Sequence, residues 1–499
     1  MIQVITNIND SISSVVWGWP ALILLAFVGV LMTVQTGFFQ ITHFGYWMKH
    51  TIGAIFGEKH ITAHTADKTI SQFQSLCTAL AATVGTGNIV GVAGAIATGG
   101  PGAVFWMIVI AFFGMMTNYS ENVLGILYRR KNSEGEWCGG AMYYLKDGLA
   151  GKGLKGLGSV LAVLFSIFCV IASFGIGNLS QVNSMVTNVN TAFGIPNLIT
   201  GIFLFFAVSI VILGGLKRVA AFTEKLVPFM VILYLLGSVV IILLHAGQIP
   251  AALISIFKGA FGMRSVAGGV VGAGIAEAMR WGMKRGVFSN EAGLGSSVMV
   301  HSSSNVREPV RQGMWGIFEV FADTIVVCTL TSLVILTCGV IDLNTGAMTA
   351  EAAAAGASSL VSLAFSNTFG MLGGAFVALA LLLFAYSTAL GWSHYGAKAF
   401  EYLFGTKNII VFRIAFALVV LAGSVLDAEL AWEISDTFNG LMMLPNLIGV
   451  LILSPQVHAC TKNYVDRKLH GKDEEPMLSM IPEIQEIEKK ELIAAGGED

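Results

Sequence analysis

The chain has 499 residues, of which 55% are hydrophobic and only 12% charged, with a mean hydropathy of +0.75. A soluble domain carries about 25% charged residues, so one large polytopic membrane domain is expected and the bilayer is its first partner. A formal net charge of −2 excludes a nucleic-acid partner, and Cys77, Cys138, Cys169, Cys328, Cys338 and Cys460 form no CxxC pair and no metal spacing. They read as small apolar residues, not as a disulfide framework.

Stretches of about 20 apolar residues mark spanning helices. Eleven are expected, at roughly 16–37, 73–98, 102–127, 159–183, 197–216, 226–246, 268–300 (interrupted), 313–338, 368–396, 410–427 and 437–456. No Lys or Arg precedes Trp17, so a cleaved signal peptide, which needs a basic n-region, is not expected. Basic residues collect in alternate loops: Lys49, Lys59 and Lys68; Arg129, Arg130, Lys131, Lys146, Lys152 and Lys155; Lys217, Arg218 and Lys225; Arg307 and Arg311; Lys398, Lys407 and Arg413; and the C-terminal tail. The intervening loops hold Lys258 and Arg264. The positive-inside rule then predicts a multi-pass protein of the inner (plasma) membrane, with its N-terminus outside and its C-terminus cytoplasmic. The charged tail from Lys462 is expected to be a cytoplasmic extension with at most one short helix.

One helix and its loop (1–70) precede two sets of five, at 71–246 and 247–456, and a tail follows at 457–499. Five is odd, so the second set enters from the opposite side, as in the inverted repeats of secondary transporters. The first helix of each set is interrupted by glycine, at 80-LAATVGTGNIVGVAGAIATGG-100 and at 286-GVFSNEAGLGSS-297. Matched interruptions in two halves point to a site at mid-membrane.

Glycine weakens a helix where an unpaired backbone is most costly, so its use in the first stretch needs a reason. Gly87 and Gly91 make one GxxxG packing face. Unwinding at Val84–Asn88 is the alternative, with Gly85 and Gly87 in backbone conformations that a Cβ disfavours. It would expose carbonyls, which suit a hard cation such as Na⁺, and N–H groups, which suit a carboxylate. A zwitterionic amino acid with a cation would use both ends, and Thr83, Thr86 and Asn88 add oxygen ligands. GTGNIVG does not fit a nucleotide loop.

The runs 99-GGPGAVFWMIVIAFFGMMTNYSE-121, 285-RGVFSNEAGLGS-296 and 138-CGGAMYYL-145 resemble the signatures of the alanine or glycine:cation symporters, also called the sodium:alanine symporter family. The resemblance covers essentially the whole chain; Ile108 stands where the family commonly has Trp. It implies an all-α fold of eleven transmembrane helices, ten in the five-plus-five inverted repeat of the leucine transporter and one extra at the N-terminus. It also implies Na⁺-coupled transport of small neutral amino acids, chiefly alanine and glycine, with Na⁺ as coupling ion and no organic cofactor. The run 84-VGTGN-88 is similar to the broken first helix of leucine-type transporters. That similarity places one Na⁺ on the carbonyls of Ala81 and Val84 with the hydroxyls of Ser387 and Thr388. A second Na⁺ would use Thr83 and Asn88 with the substrate carboxylate.

On this reading Thr86, Gly87, Asn88 and Gly295 lie at the substrate, with Gln181 and Phe174 from the fourth span and Trp392 one turn after Thr388. Polar stripes such as Asn178, Gln181 and Ser184 also serve simply to join helices, and two adjacent hydroxyls can be back-bonded within their own helix. Glu291 is expected to cap a half-helix or pair with Lys284 or Arg285. Asp323 is a mid-membrane acid for a polar pair or a cation step. Arg280, Lys284 and Arg285 form one basic helix face on the outer half of the broken helix, which would line the outer vestibule or pair with acids. A channel would need a symmetric subunit with one filter loop, and an enzyme a converging catalytic set; neither is visible. The rival within transporters is proton coupling.

Overall fold

The computed structural model describes residues 2–64, 69–262, 271–425 and 429–494. Lys68, Arg264 and the ends of two expected spans, at 268–270 and 426–427, lie outside the described residues. The principal helices are α1 (Ile2–Val16), α2 (Trp19–Gln35), α3 (Gln72–Thr83), α4 (Val92–Gly99), α5 (Gly102–Leu127), α6 (Lys155–Phe174), α7 (Ser180–Phe193), α8 (Asn197–Ile212) and α9 (Gly215–Leu244). They continue as α10 (Val271–Asn290), α11 (Val298–His301), α12 (Pro309–Val320), α13 (Thr329–Thr337), α14 (Met371–Phe404), α15 (Ile409–Gly423), α16 (Glu429–Lys468) and α17 (Pro482–Ala494). Short helices connect them, and Arg130–Lys131 pairs with Trp137–Cys138 as a small antiparallel hairpin.

Among the described residues eight helical runs are long and apolar enough to cross a membrane, and α3 with α4, bent by 49°, makes a ninth. The stretches expected at 197–216 and 268–300 fall on α8, which has 16 residues, and on α10, which carries Glu277, Arg280, Lys284 and Arg285. The first run starts earlier than hydropathy suggests, at Gln3 instead of residue 16. Its polar residues bond within the helix, Ser11 Oγ donating to Asn7 O at 2.8 Å and Ser14 Oγ to Ser11 O at 2.8 Å, so polarity there does not end it.

Helix α3 begins at a reciprocal cap. Gln74 N donates to Ser71 Oγ at 3.1 Å, and Ser71 N donates to Gln74 Oε1 at 3.2 Å, which satisfies two amides that a helix start leaves open. Ser71→Ala is expected to cost about 1 kcal/mol, seen as a lower thermal midpoint of the purified protein with its Na⁺ dependence unchanged.

Single wide turns interrupt four helices: Gly87–Gly91 before α4, Tyr144–Gly148, Gly175–Leu179 between α6 and α7, and Phe321–Cys328 between α12 and α13. Such π-turns gather at functional sites, and three of these hold Asn88, Asn178 and Asp323.

The tail is docked. Met480 N donates to Leu127 O at 2.8 Å, at the end of α5. Glu488 of α17 forms a 2.8 Å ion pair with Arg129, both nearly inaccessible. Arg129 also donates to the carbonyls of Ser304 at 2.8 Å and Val306 at 2.5 Å. One guanidinium thus ties α17 to the loop between α11 and α12.

Candidate functional site

The first break is built from backbone groups that leave their helix. Gly85 N donates to Asn88 Oδ1 at 2.8 Å, and Asn88 N donates to Gly85 O at 3.3 Å. Neither amide is spent on the carbonyl four residues back, so those of Ala81 and Val84 lose their usual helical donors. Neither Gly85 nor Gly87 is among the positive-φ residues, which corrects the expectation of a conformation closed to a Cβ. Gly85 is required for a different reason: a Cβ there would strike Thr388 Oγ1. At Gly87 a Cβ would meet Phe288 Cδ1 at an ordinary 3.4 Å, and at Gly91 the nearest atom is Arg285 Cδ at 4.0 Å. No tight GxxxG contact is therefore present.

The second break falls within the stretch 286-GVFSNEAGLGSS-297, in its C-terminal part. Helix α10 continues to Asn290, and the chain then turns at Glu291 (φ +57°), Gly293 (+93°) and Gly295 (+73°). Left-handed backbone costs a residue with a Cβ about 1 kcal/mol or more, so Glu291 is held there by its surroundings. Ser296 Oγ donates to Glu291 Oε2 at 2.5 Å. The expected pairing of Glu291 with Lys284 or Arg285 does not occur. Lys284 Nζ pairs with Asp436 at 2.7 Å, Arg280 with Glu277 at 2.9 Å, and Arg285 lies over the rings of Trp281 and Phe288. Two members of the basic face thus pair with acids, and Trp281, which donates to Glu277, lies beside both Lys284 and Arg285.

The two breaks meet at Asp323, which is fully buried in the π-turn after α12. Asp323 Oδ1 accepts from Asn88 Nδ2 at 2.6 Å. Oδ2 accepts from Ser289 Oγ at 2.8 Å and Thr324 Oγ1 at 2.7 Å. Asn290 Nδ2 donates to Thr324 Oγ1 at 3.0 Å. One carboxylate therefore joins the broken helix of the first half to that of the second. The side-chain amide of Asn88 is committed to Gly85 and Asp323.

Helix α14 supplies the opposite wall. Ser387 Oγ and Thr388 Oγ1 both donate to Phe384 O, at 2.8 and 3.0 Å. Back-bonding uses their hydrogens and leaves oxygen lone pairs available. Thr83 Oγ1 is likewise back-bonded, to Ala79 O at 3.2 Å. Trp392 is buried edge-on to Tyr395, and Gly177 gives its Cβ room. Gln181 Nε2 donates to Ile176 O at 3.0 Å across the π-turn, while Gln181 Oε1 and Thr86 Oγ1 are buried with no hydrogen-bond partner. Phe174 packs on Phe412 and Phe416 of α15. Gly295 lies against Asn446 and Ala141.

Two polar clusters escape sequence reasoning. Asn446 of α16 donates to Glu121 Oε1 and, at 2.8 Å, to the Gly293 carbonyl, and it accepts from Tyr144 OH. It clamps the second break from behind. Glu319 of α12 faces His301 of α11 at 3.0 Å. A charge inside a span is the signal that could have singled out Glu121 and Glu319.

The description of the sodium:alanine symporter family matches residues 2–478. The chain is 45% identical over 458 residues to the sodium/alanine symporter AgcS of Methanococcus maripaludis, covering 92% of this chain and 97% of that one. It is 33% identical over 475 residues to the probable sodium/glutamine symporter GlnT of Bacillus subtilis, covering 95% and 93%. Among solved structures, a manganese transporter of Eremococcus coleocola aligns with a TM-score of 0.50 at 13% identity, over 84% of this chain and 83% of that one, a likeness of fold alone.

Proposed function

Because the chain belongs to the sodium:alanine symporter family, we propose that it carries small neutral amino acids, alanine and glycine, together with Na⁺ across the inner membrane by alternating access. The observation that carries this reading is the first break, where the donors for the Ala81 and Val84 carbonyls turn away and the Thr388 hydroxyl stands against Gly85. Those two carbonyls with the Ser387 and Thr388 oxygens make a neutral oxygen set suited to a hard monovalent cation. A second Na⁺ would use Thr83 and Asn88 with the substrate carboxylate.

In this proposal the carboxylate sits at Thr86, Gly87 and Asn88, on amides at the start of the second half-helix. Gln181 Oε1, buried and unpartnered, would accept from the ammonium group. Trp392 and Gly295 close the space around the side chain, and Phe174 backs the wall through α15. The bulk of Trp392 favours a methyl or hydrogen side chain over a longer one. The eleven spans, the five-plus-five repeat at 71–246 and 247–456, and an outside N-terminus with a cytoplasmic tail complete the proposal.

The energetics suffice. A membrane potential supplies about 2.3 kcal/mol per charge per 100 mV, and a tenfold Na⁺ gradient adds about 1.4 kcal/mol. One ion would thus sustain an accumulation of roughly several hundredfold for a neutral zwitterion.

Uptake of labelled alanine into liposomes with imposed gradients tests the reading. An inward Na⁺ gradient is expected to drive uptake; uptake that persists without Na⁺ and collapses with a protonophore overturns it. Thr388→Ala removes one oxygen from a site with few. It is expected to raise the Na⁺ concentration for half-maximal uptake by about tenfold, as for loss of a contact to a charge worth about 1.5 kcal/mol. Unchanged Na⁺ dependence in that variant moves the ion site elsewhere.

A further inference from the structure

Glu319 has no exposed surface, and its hydrogen bonds can be assigned atom by atom. Gln312 Oε1 accepts from Ser304 Oγ at 2.9 Å, so its amide nitrogen faces His301 Nδ1, 2.5 Å away. Ser75 Oγ spends its hydrogen on Val300 O and is left to accept from the same Gln312 nitrogen at 3.4 Å. A side-chain amide nitrogen only donates, so His301 Nδ1 is an acceptor and the ring hydrogen is on Nε2. The imidazole is neutral, and it donates to Glu319 Oε2 at 3.0 Å. The other donor to Oε2 is Asn118 Nδ2, at 3.2 Å.

Glu319 Oε1 is buried with no hydrogen-bond partner. Among the described residues no Lys or Arg forms an ion pair with Glu319. Glu121, Glu291, Asp323 and the Tyr395 hydroxyl lie within electrostatic range of Glu319, and none of them is a cation. Tyr395 OH also has no partner. An ionised carboxylate in a low-dielectric interior needs a counter-charge, and a bare one costs several kcal/mol even after relaxation. Two neutral donors on one oxygen do not neutralise the charge, and the other oxygen is open.

We propose that Glu319 Oε1 is the seat of a monovalent cation, H⁺ or Na⁺, separate from the Na⁺ position at Ala81, Val84, Ser387 and Thr388. Helix α12, which carries Glu319, leads directly into the π-turn holding Asp323. An ion arriving or leaving at Glu319 therefore acts on the segment that joins the two broken helices. His301 is a positioning residue that holds the carboxylate and leaves one oxygen for the ion.

The proposal rests on amino-acid symport, and the test separates the two. Glu319→Gln keeps the shape, its amide oxygen accepting from His301 and Asn118 while its nitrogen fills the ion's place. In proteoliposomes, ions moved per alanine are read by isotope for Na⁺ and by a lumenal pH dye for H⁺. If the ion is H⁺, alanine-coupled acidification of the lumen is present in the wild-type protein and lost in Glu319→Gln, whose uptake no longer varies with pH. If it is Na⁺, the Na⁺:alanine ratio falls by one ion. His301→Gln keeps an N–H toward Oε2 and is expected to leave the ratio intact. A Glu319→Gln protein that does not bind alanine is replaced by Glu319→Asp, which must keep the ion at reduced affinity.

Unchanged ratios for both ions in Glu319→Gln overturn the proposal, as does loss of the ion in His301→Gln or unchanged ion affinity in Glu319→Asp. Thr388→Ala, which tests the symport site itself, is expected to shift Na⁺ affinity at a constant ratio.

Discussion

Gly85→Ala is expected to abolish Na⁺-driven uptake at ordinary Na⁺ concentrations while the protein still reaches the membrane. The new methyl would stand on the Thr388 hydroxyl, with Thr388 Cβ at 3.3 Å and Cγ2 at 3.5 Å. Rotating Thr388 does not solve the overlap, since its methyl would sweep into the same space and the bond to Phe384 O at 3.0 Å would break. The alternative is to spread α3 from α14, which separates the carbonyls from the hydroxyls. Either way the oxygen set is dismantled, not merely reduced by one member. A contact to a charged group contributes about 1.5–3 kcal/mol, so half-saturation should rise roughly tenfold to more than a hundredfold. Gly87→Ala is the control, because its methyl would make only an ordinary contact with Phe288; near-normal Na⁺ affinity is expected. Wild-type Na⁺ dependence in Gly85→Ala would remove Thr388 from the ion site.

Asp323→Ala is the second large effect. It strips the carboxylate acceptor from Asn88 Nδ2, Ser289 Oγ and Thr324 Oγ1 together, leaving Asn88 Nδ2 the longer bond to the Asp323 carbonyl at 3.3 Å and Asn88 and Ser289 the weak acceptor Cys328 Sγ. Each buried donor left unsatisfied costs about 1–3 kcal/mol, a large share of the 5–15 kcal/mol by which a typical domain is stable. The expected result is a lower thermal midpoint and no measurable alanine uptake, because the two breaks are no longer held to each other. Asp323→Asn should be milder. Its oxygen serves Asn88, its nitrogen donates toward Ser289, and the Thr324 hydroxyl, already accepting from Asn290, must find another acceptor. A graded series, wild type above Asn above Ala in both midpoint and uptake rate, is the outcome to look for. An Asp323→Ala protein that transports normally would show that the carboxylate joins nothing of consequence.

Both breaks were legible because glycine clusters inside apolar runs are a local signal. Even there the reason for Gly85 was not local. It depends on Thr388, some 300 residues later, and a one-dimensional pattern carries no such contact. Asp323 was visible as a mid-span acid, yet its partners come from positions 88, 289 and 324, so its joining role needed the fold. Asn446 gave no signal, because one asparagine in a long helix does not announce that it holds the Gly293 carbonyl. The spacing of Arg280, Lys284 and Arg285 left open a vestibule lining or acid pairs, and only the fold brings Glu277 to Arg280 and Asp436 to Lys284.

The docked tail bears on how the protein is made. Helix α17 follows every membrane helix in chain order, so the ribosome delivers it after all of them. The Arg129 guanidinium, at the foot of α5, is therefore translated long before Glu488 exists to pair with it. Until then the loop carrying Ser304 and Val306 is secured to Arg129 by carbonyl contacts alone. Helix α17 thus closes an end of the bundle that α5, far earlier in the chain, had laid down. A polypeptide halted before Ser479 would hold α1–α16 yet lack the carboxylate that pairs with Arg129.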